Sequence, residues 1–494
     1  MVRENSGRQP RRKRVHHFAA PFARLGARVN LQKNKVTNPE FRLTSRANRC
    51  NFGNQPNVIS STNRQFLFNP CIAALSPPLV TSRMTNRPNF GVLVVWLVVT
   101  IAPAVWAAES NSTRSRLSLP EVIGKSVTGS PEKIEPEAGE LVAHSIFLHA
   151  PLALFELERA PDQVPVWRFR GGSAQSLSAL FDEAKLPEEL KAALLTTAVT
   201  WQRHVGMTLL PTPEILLRLP LPSRQRIYEE LAKSSFNPYH AAPLLIPRYL
   251  ADEWLAHSPL SASHRESVRR LFWNQGGCFA FSDLSFLINT SQSTAEIRDC
   301  LRAWTLTRTV VVKVRIPTGT KLESFMRYWG AGEDNDAVLP FLQAMGASGS
   351  DATIELPQLL PPICRKLLYT YPSAASGVSG RFPDCNWTAL NFFASDPDPY
   401  YLDSKQSYLE LAQDYEQIPA ATQLGDLICF TDKAGQIVHS CVHVAGNIVF
   451  TKNGAGLASP WLLMPYSDVE AIYRSSDAID VHCLRKKSFT RPKT

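Results

Sequence analysis

Along its 494 residues the chain changes its rhythm of apolar and polar positions several times. The first 83 residues show no sustained helical or strand period. An apolar run follows at 92–108, and then a Ser-, Pro- and Glu-rich stretch to 140 that reads as a linker. From about 141 to 345 apolar residues recur at helical spacing, as in Val268, Leu271 and Phe272, or Leu322, Phe325, Tyr328 and Trp329. This predicts a mainly helical region. Three helix starts pair a hydroxyl residue with a Glu three positions on: Ser263 with Glu266, Ser293 with Glu296, and Thr320 with Glu323. Gly330 supplies a stop. Further helices are expected over 187–201 and 223–233, and β-branched residues mark one strand at 309–316. The Trp and Tyr residues of this region read as core. No internal repeat and no chemical motif is visible in it.

Gly- and Ser-rich breaks at 346–350 and 373–380 end the helical pattern. Beyond them the order becomes helix, then strands. Residues 384–393 read as a helix entered at Cys385, followed by strands at 427–431, 437–444 and 448–451 and a short helix near 467–473. The expected class is α+β. The last stretch, 476–494, is expected to be a basic tail.

Composition narrows the reading. Hydrophobic residues make up 44% and charged residues 19%, which excludes collagen-like, coiled-coil and wholly disordered chains. The net charge of +10 invites a nucleic-acid partner, but residues 1–83 hold 15 basic residues against two acidic ones, Glu4 and Glu40. Residues 108–494 carry a net charge of −4. The basic character therefore belongs to a leader. Its Arg11-Arg12-Lys13-Arg14 run has the pattern of a nucleic-acid patch, which the next segment argues against. Met84 opens a short stretch with one positive charge, Arg87, before the apolar run, and Val105-Trp106-Ala107 offers small residues where a signal peptidase cuts. Residues 84–107 thus read as a signal peptide and 1–83 as a basic leader, either disordered or upstream of the true start at Met84. The expected mature chain is exported, periplasmic or extracellular, with no membrane span after cleavage and no nucleic-acid partner.

Seven cysteines follow the signal, at 278, 300, 364, 385, 429, 441 and 483, and an odd number leaves at least one thiol unpaired. Cys385 is the candidate for chemistry. At a helix N-terminus the unpaired N–H groups favour a thiolate, and Asp384 is placed to cap the helix. A nucleophilic thiol needs a histidine. His439, Cys441 and His443 alternate on a predicted strand and so face one side. As a metal set they fail: at roughly 3.3 Å rise per residue the outer pair is about 13 Å apart at the backbone. No metal and no organic cofactor is expected.

The residues around this strand carry a resemblance. Asp384-Cys385 opens a helix; Gly425-Asp426-Leu427 and a nearby aromatic, Phe430, precede His439, and Thr451-Lys452-Asn453 closes the next strand. In this order and spacing, residues of about 365–475 resemble the NlpC/P60 family of papain-like cysteine peptidases, which cleave peptidoglycan stem peptides. The resemblance implies a papain-like domain with a nucleophile helix packed on an antiparallel sheet. It also implies Cys385 as nucleophile and His439 as general base, with a third polar residue orienting the imidazole. Gap-free counting puts Thr451 at that third place, with Lys452 and Asn453 next; Asn453 is the best chemical match. Tyr369 or Tyr371 is expected to line the site. Asn386-Trp387 stands where the family has Ser-Gly, and His443 where it has Tyr. The implied function is an exported cysteine hydrolase acting on peptidoglycan or short cell-wall peptides. The alternatives are a catalytically inactive cell-wall-binding module, or a thiol amidase or acyltransferase on the same fold.

Overall fold

The computed structural model describes residues 136–155, 164–200, 206–331, 336–347, 351–378, 380–475 and 479–490. The leader, the signal peptide and most of the expected linker lie outside the described residues.

Fifteen strands are present among the described residues. In chain order they are β1 (Glu140–Leu148), β2 (Trp167–Arg170), β3 (Val199–Thr200), β4 (Gly206–Leu209), β5 (Leu244–Pro247), β6 (Trp273–Gln275), β7 (Cys278–Phe281) and β8 (Thr307–Ile316). There follow β9 (Ala352–Glu355), β10 (Tyr415–Ile418), β11 (Leu427–Thr431), β12 (Ile437–Ala445), β13 (Ile448–Lys452), β14 (Trp461–Pro465) and β15 (Asp480–Lys486). They pair antiparallel in three three-stranded sheets, β1-β8-β9, β2-β4-β3 and β5-β7-β6, and one six-stranded sheet of order β10-β15-β11-β12-β13-β14. The architecture is a mixture of helices and antiparallel sheets, an α+β arrangement.

Eight helices matter below: α1 (Leu221–Ala232), α2 (Ala251–His257), α3 (Ala262–Leu271), α4 (Thr294–Trp304), α5 (Leu322–Trp329), α6 (Cys385–Leu390), α7 (Ser404–Asp414) and α8 (Tyr466–Tyr473). Among the described residues no helix is long and apolar enough to cross a membrane.

The large sheet is covered on both faces, which is why β11 and β13 read as unbroken apolar runs rather than alternating ones. Cys429, Val442, Phe450 and Leu463 pack with Trp387 of α6 and Leu411 of α7. On the other face, Ile428, Phe430, Cys441 and Leu462 pack with Val469 of α8. The first of these cores also takes in Val310, Val312 and Val314 of β8 and Phe325 and Trp329 of α5. The sequence breaks near 346–350 and 373–380 therefore do not separate two cores, and the Thr309 hydroxyl donates to the Leu463 carbonyl at 2.6 Å across that join.

The structure corrects several expectations. The stretch 141–345 holds more helix than strand, but it carries β1 to β8 where only the strand at 309–316 was expected. Strands as short as Val199–Thr200 or Trp273–Gln275 offer too few positions for a period of two to show. The expected basic tail instead forms β15, lying between β10 and β11 and burying Val481, His482, Cys483 and Leu484. Its Arg485 is not a solvated tail charge but an ion-pair partner of Asp426 at 2.7 Å. Helix α3 is capped by Ser261 rather than Ser263, and α5 follows Lys321 with no side-chain cap. Ser293 does cap α4, accepting from the Glu296 N–H at 3.2 Å, and Gly330 ends α5 with its N–H on the Met326 carbonyl. The predicted 187–201 helix stops at Thr196 before the turn into β3, and the one at 223–233 is α1.

Candidate active site

Three local devices position the candidate residues. Asp384 caps α6: its carboxylate accepts from the Trp387 N–H at 2.8 Å and its carbonyl from the Thr388 hydroxyl at 2.6 Å. The helix is pinned to the sheet by Ser440 of β12, whose hydroxyl donates to Asn386 Oδ1 at 2.6 Å. Trp461 of β14 adds a second tie, its indole N–H donating to Thr388 at 3.0 Å. Gly425 sets the entry into β11. It has φ +93°, and a Cβ there would lie 2.1 Å from the Phe393 ring, so only glycine fits. The adjacent Asp426 is fully buried, accepting from the Thr422 and Gln423 N–H groups and from both arms of Arg485. The Gly-Asp-Leu motif is thus an anchoring device.

Cys385 is buried at the first position of α6, and the backbone N–H groups of Ser440 and Asn386 face its sulfur. Burial pushes the thiol well above its ordinary pKa, the Asp384 carboxylate adds to that, and the two N–H groups oppose it. The resting group is a neutral thiol.

His439 is fully buried on β12. Its Nε2 lies 3.0 Å from the Thr451 hydroxyl of β13, and that hydroxyl donates to Asn453 Oδ1 at 3.4 Å. A hydroxyl that gives its proton to Asn453 accepts from the imidazole, which places the ring proton on Nε2 and leaves Nδ1 as a lone pair. Nδ1 is buried and has no hydrogen-bond partner. The ring stacks on Tyr473 of α8 at 3.8 Å and 7°, with Phe430 at 5.9 Å. Burial pushes its pKa down to about 3, so the imidazole is neutral.

The two candidate residues come to one strand but make no hydrogen bond to each other. Neighbours on a strand point to opposite faces. Ser440 turns to α6, and the His439 ring turns to α8. The sulfur of Cys385 meets the strand at its backbone, one residue from the histidine. The residue that holds His439 directly is Thr451. Asn453, preferred on chemistry, stands behind it, with its amide nitrogen 3.3 Å from the Met464 sulfur. Lys452, the third alternative, faces the other way. It is fully buried, donates to the carbonyls of Gly454 at 2.5 Å and Gly456 at 3.3 Å, and lies over the Trp461 ring. Burial pushes its pKa down to about 7, with Asp384 and Cys385 holding it up.

The other residues of the expected constellation go elsewhere. Cys441 belongs to the core under α8, and the His443 Nε2 lies 3.5 Å from the Tyr328 hydroxyl of α5. Tyr369 donates to the Val310 carbonyl at 2.6 Å, and Tyr371 packs against the core of the helix-rich part. The aromatic residue at the site is Tyr473, which the sequence did not single out because α8 reaches His439 only through the fold. All seven cysteines among the described residues are free and buried. Compared with known proteins, the chain matches no family model, no curated protein and no solved structure.

Proposed function

We propose that this chain is a cysteine hydrolase of NlpC/P60 type, with a papain-like arrangement of α6 on the large sheet, exported and acting on peptide bonds of peptidoglycan stem peptides. The observation that carries the reading is the buried, partnerless Nδ1 of His439, fixed as a lone pair by Thr451, on the strand whose backbone meets the Cys385 sulfur. Both groups rest neutral, so the thiol is deprotonated as it attacks rather than beforehand. The Cys385 proton passes to His439 Nδ1 while the sulfur bonds to the carbonyl carbon. The oxyanion is stabilised by backbone N–H groups, for which Asn386 and Ser440 are the candidates. The C–N bond breaks as the leaving amine takes the proton from Nδ1. Water, deprotonated by the same nitrogen, then hydrolyses the thioester and restores the thiol. The resting ring faces α8 and Cys385 lies with α6, so this proton transfer requires the His439 ring to leave Tyr473 and turn toward the sulfur when substrate binds.

The test is digestion of purified peptidoglycan with mass analysis of the soluble fragments. The reading requires cut stem peptides from the wild-type chain and none from Cys385→Ser. Release of whole stem peptides would mark an amidase instead. Intact sacculi that retain the bound protein would mark a binding module.

A further inference from the structure

The face of the large sheet that carries Cys385 has a base of its own. Neighbours on a strand point to opposite faces, so Thr451, which turns to His439, leaves Lys452 on the other side. Lys452 shares that side with Phe450, which packs with Trp387 of α6. In the register that sets Val442 opposite Phe450, the next residues along on the same face are Ser440 and Lys452. Ser440 ties β12 to α6 through Asn386, and its N–H faces the Cys385 sulfur. On its other flank Lys452 pairs with Trp461, whose indole N–H reaches Thr388 of α6. The lysine thus stands between the two strand residues that hold α6.

Packing does not account for an ammonium in this place. The side chain is fully buried, and its Nζ donates to the carbonyls of Gly454 and Gly456 rather than to a carboxylate. A methionine of similar length would fill the space without desolvating a charge. What the lysine adds is a positive charge, and its electrostatic neighbours are Asp384 and Cys385. The ionisable groups that act on the thiol or feel its charge are Asp384 beside it, Cys429 of β11, Cys441 of β12, Tyr408 of α7, Tyr473 of α8 and Lys452 of β13. All but Lys452 are acids, neutral or negative. His439 rests neutral with its ring on the other face.

We propose that Lys452 is the charge partner of Cys385, a positioning residue whose ammonium stabilises the thiolate as the sulfur gives up its proton. The inference rests on Cys385 as the working thiol of the proposed hydrolase. The sulfur's proton still goes to His439, and Lys452 keeps its own. An opposite charge beside a forming thiolate makes ionisation easier. The pairing depends on pH, because burial holds the Lys452 pKa down to about 7 while Asp384 and Cys385 hold it up. Below that value the thiol ionises beside an ammonium; above it, beside a neutral amine.

The test is the rate at which methyl methanethiosulfonate, a small uncharged reagent that attacks thiolates, labels Cys385 in the full chain, read by peptide mass analysis between about pH 5.5 and 9.5. Wild type is expected to label about tenfold faster than Lys452→Met below pH 7, and the gap to close as the pH rises past the titration of the lysine. Circular dichroism and thermal melts show that both proteins are folded, and Cys441 serves as the internal control. A lysine with a purely structural role would change the rate by one factor at every pH, and a loosened sheet would speed Cys441 as well. Either result, or equal rates at pH 6 in the two folded proteins, overturns the proposal. Should Lys452→Met fail to fold, Lys452→Gln, neutral but still able to donate to the Gly454 carbonyl, carries the same expectation and the same refutation. No substrate enters this measurement. The pH-dependent gap with uncut peptidoglycan sinks the hydrolase reading and leaves the pairing standing; cut peptidoglycan without the gap does the reverse.

Discussion

The imidazole Nε2 of His439 lies 3.0 Å from the Thr451 hydroxyl, and Asn453 reaches the ring only through that hydroxyl. The relay fixes which nitrogen carries the proton, so the two side chains should differ in what their loss does.

Thr451→Val keeps the shape of β13 and removes the acceptor for Nε2–H. The ring can then flip its proton or its plane, and a buried donor goes unpaired at a cost of about 1–3 kcal/mol. Turnover of a cell-wall peptide is expected to fall roughly 10- to 100-fold. Asn453→Ala removes a longer contact, one step from the ring, and is expected to cost less. Steady-state kinetics of both variants, with thermal melts as control, check the order; Asn453→Ala as the more damaging change would return the orienting role to the amide.

The pH dependence of stability should show the buried histidine. His439 has a folded-state pKa pushed down to about 3, against about 6.5 in the unfolded chain. Between those values the unfolded chain binds a proton that the folded chain does not. Stability from this group is complete above about pH 6.5 and is lost as the pH falls toward 3, at about 1.4 kcal/mol per pH unit. His439→Gln removes that dependence. Urea unfolding of the two proteins at pH 7, 5.5 and 4 should give a difference in stability that shrinks as the pH falls. A difference independent of pH would mean that the ring stays solvated.

Truncation and substitution at the C-terminal strand test a second buried charge. Asp426 is fully buried, and Arg485 supplies both of its charged hydrogen bonds. Arg485→Met leaves that carboxylate with only the two backbone donors of the preceding turn. Breaking one side of a buried pair costs about 3–5 kcal/mol. The melting temperature should drop by several degrees, and a chain ending at residue 475 should not fold, because β15 is an internal strand of the sheet. Arg485→Lys should recover only part of the loss, since one ammonium cannot make the two-armed contact.

How much of this was legible beforehand follows from what each element shows locally. The strands β11, β12 and β13 were readable to within about a residue, because apolar runs there are bounded by Gly425, Gly435 and Gly454. The start of the helix at Cys385 was equally plain from the Asp384 cap, although the helix ends at Leu390 and not at residue 393. β15 was hidden: its sequence, Asp-Val-His-Cys-Leu-Arg-Lys, ends in the charges that make a chain look like a solvated tail. Its role depends on Asp426, a partner far away in sequence. The same holds for Tyr473, which stacks on His439 from a helix whose own pattern says nothing of a site. Alternation placed His439, Cys441 and His443 on one face; His439 and Cys441 share the one under α8, while the His443 ring reaches Tyr328 of α5 next to an irregularity in the strand. That this face belongs to α8 and not to α6 was written nowhere in the strand itself.

The thiol offers the last test, because its suppression has a named cause. Burial and the Asp384 carboxylate both raise the Cys385 pKa, and Asp384 acts by placing a negative charge beside a forming one. Asp384→Asn removes the charge but keeps an amide oxygen able to accept from the Trp387 N–H, so the cap on α6 largely survives. The thiolate fraction at neutral pH should rise. Labelling of Cys385 by iodoacetamide, followed by peptide mass analysis, is expected to speed up several-fold in the variant and to shift its pH midpoint downward. Cys441 lies in the core under α8 and raises no such expectation; its labelling should stay slow in both proteins. Equal acceleration at both cysteines would mean that the substitution loosened the sheet rather than relieved the thiol. Unchanged labelling at Cys385 would mean that burial alone sets its reactivity.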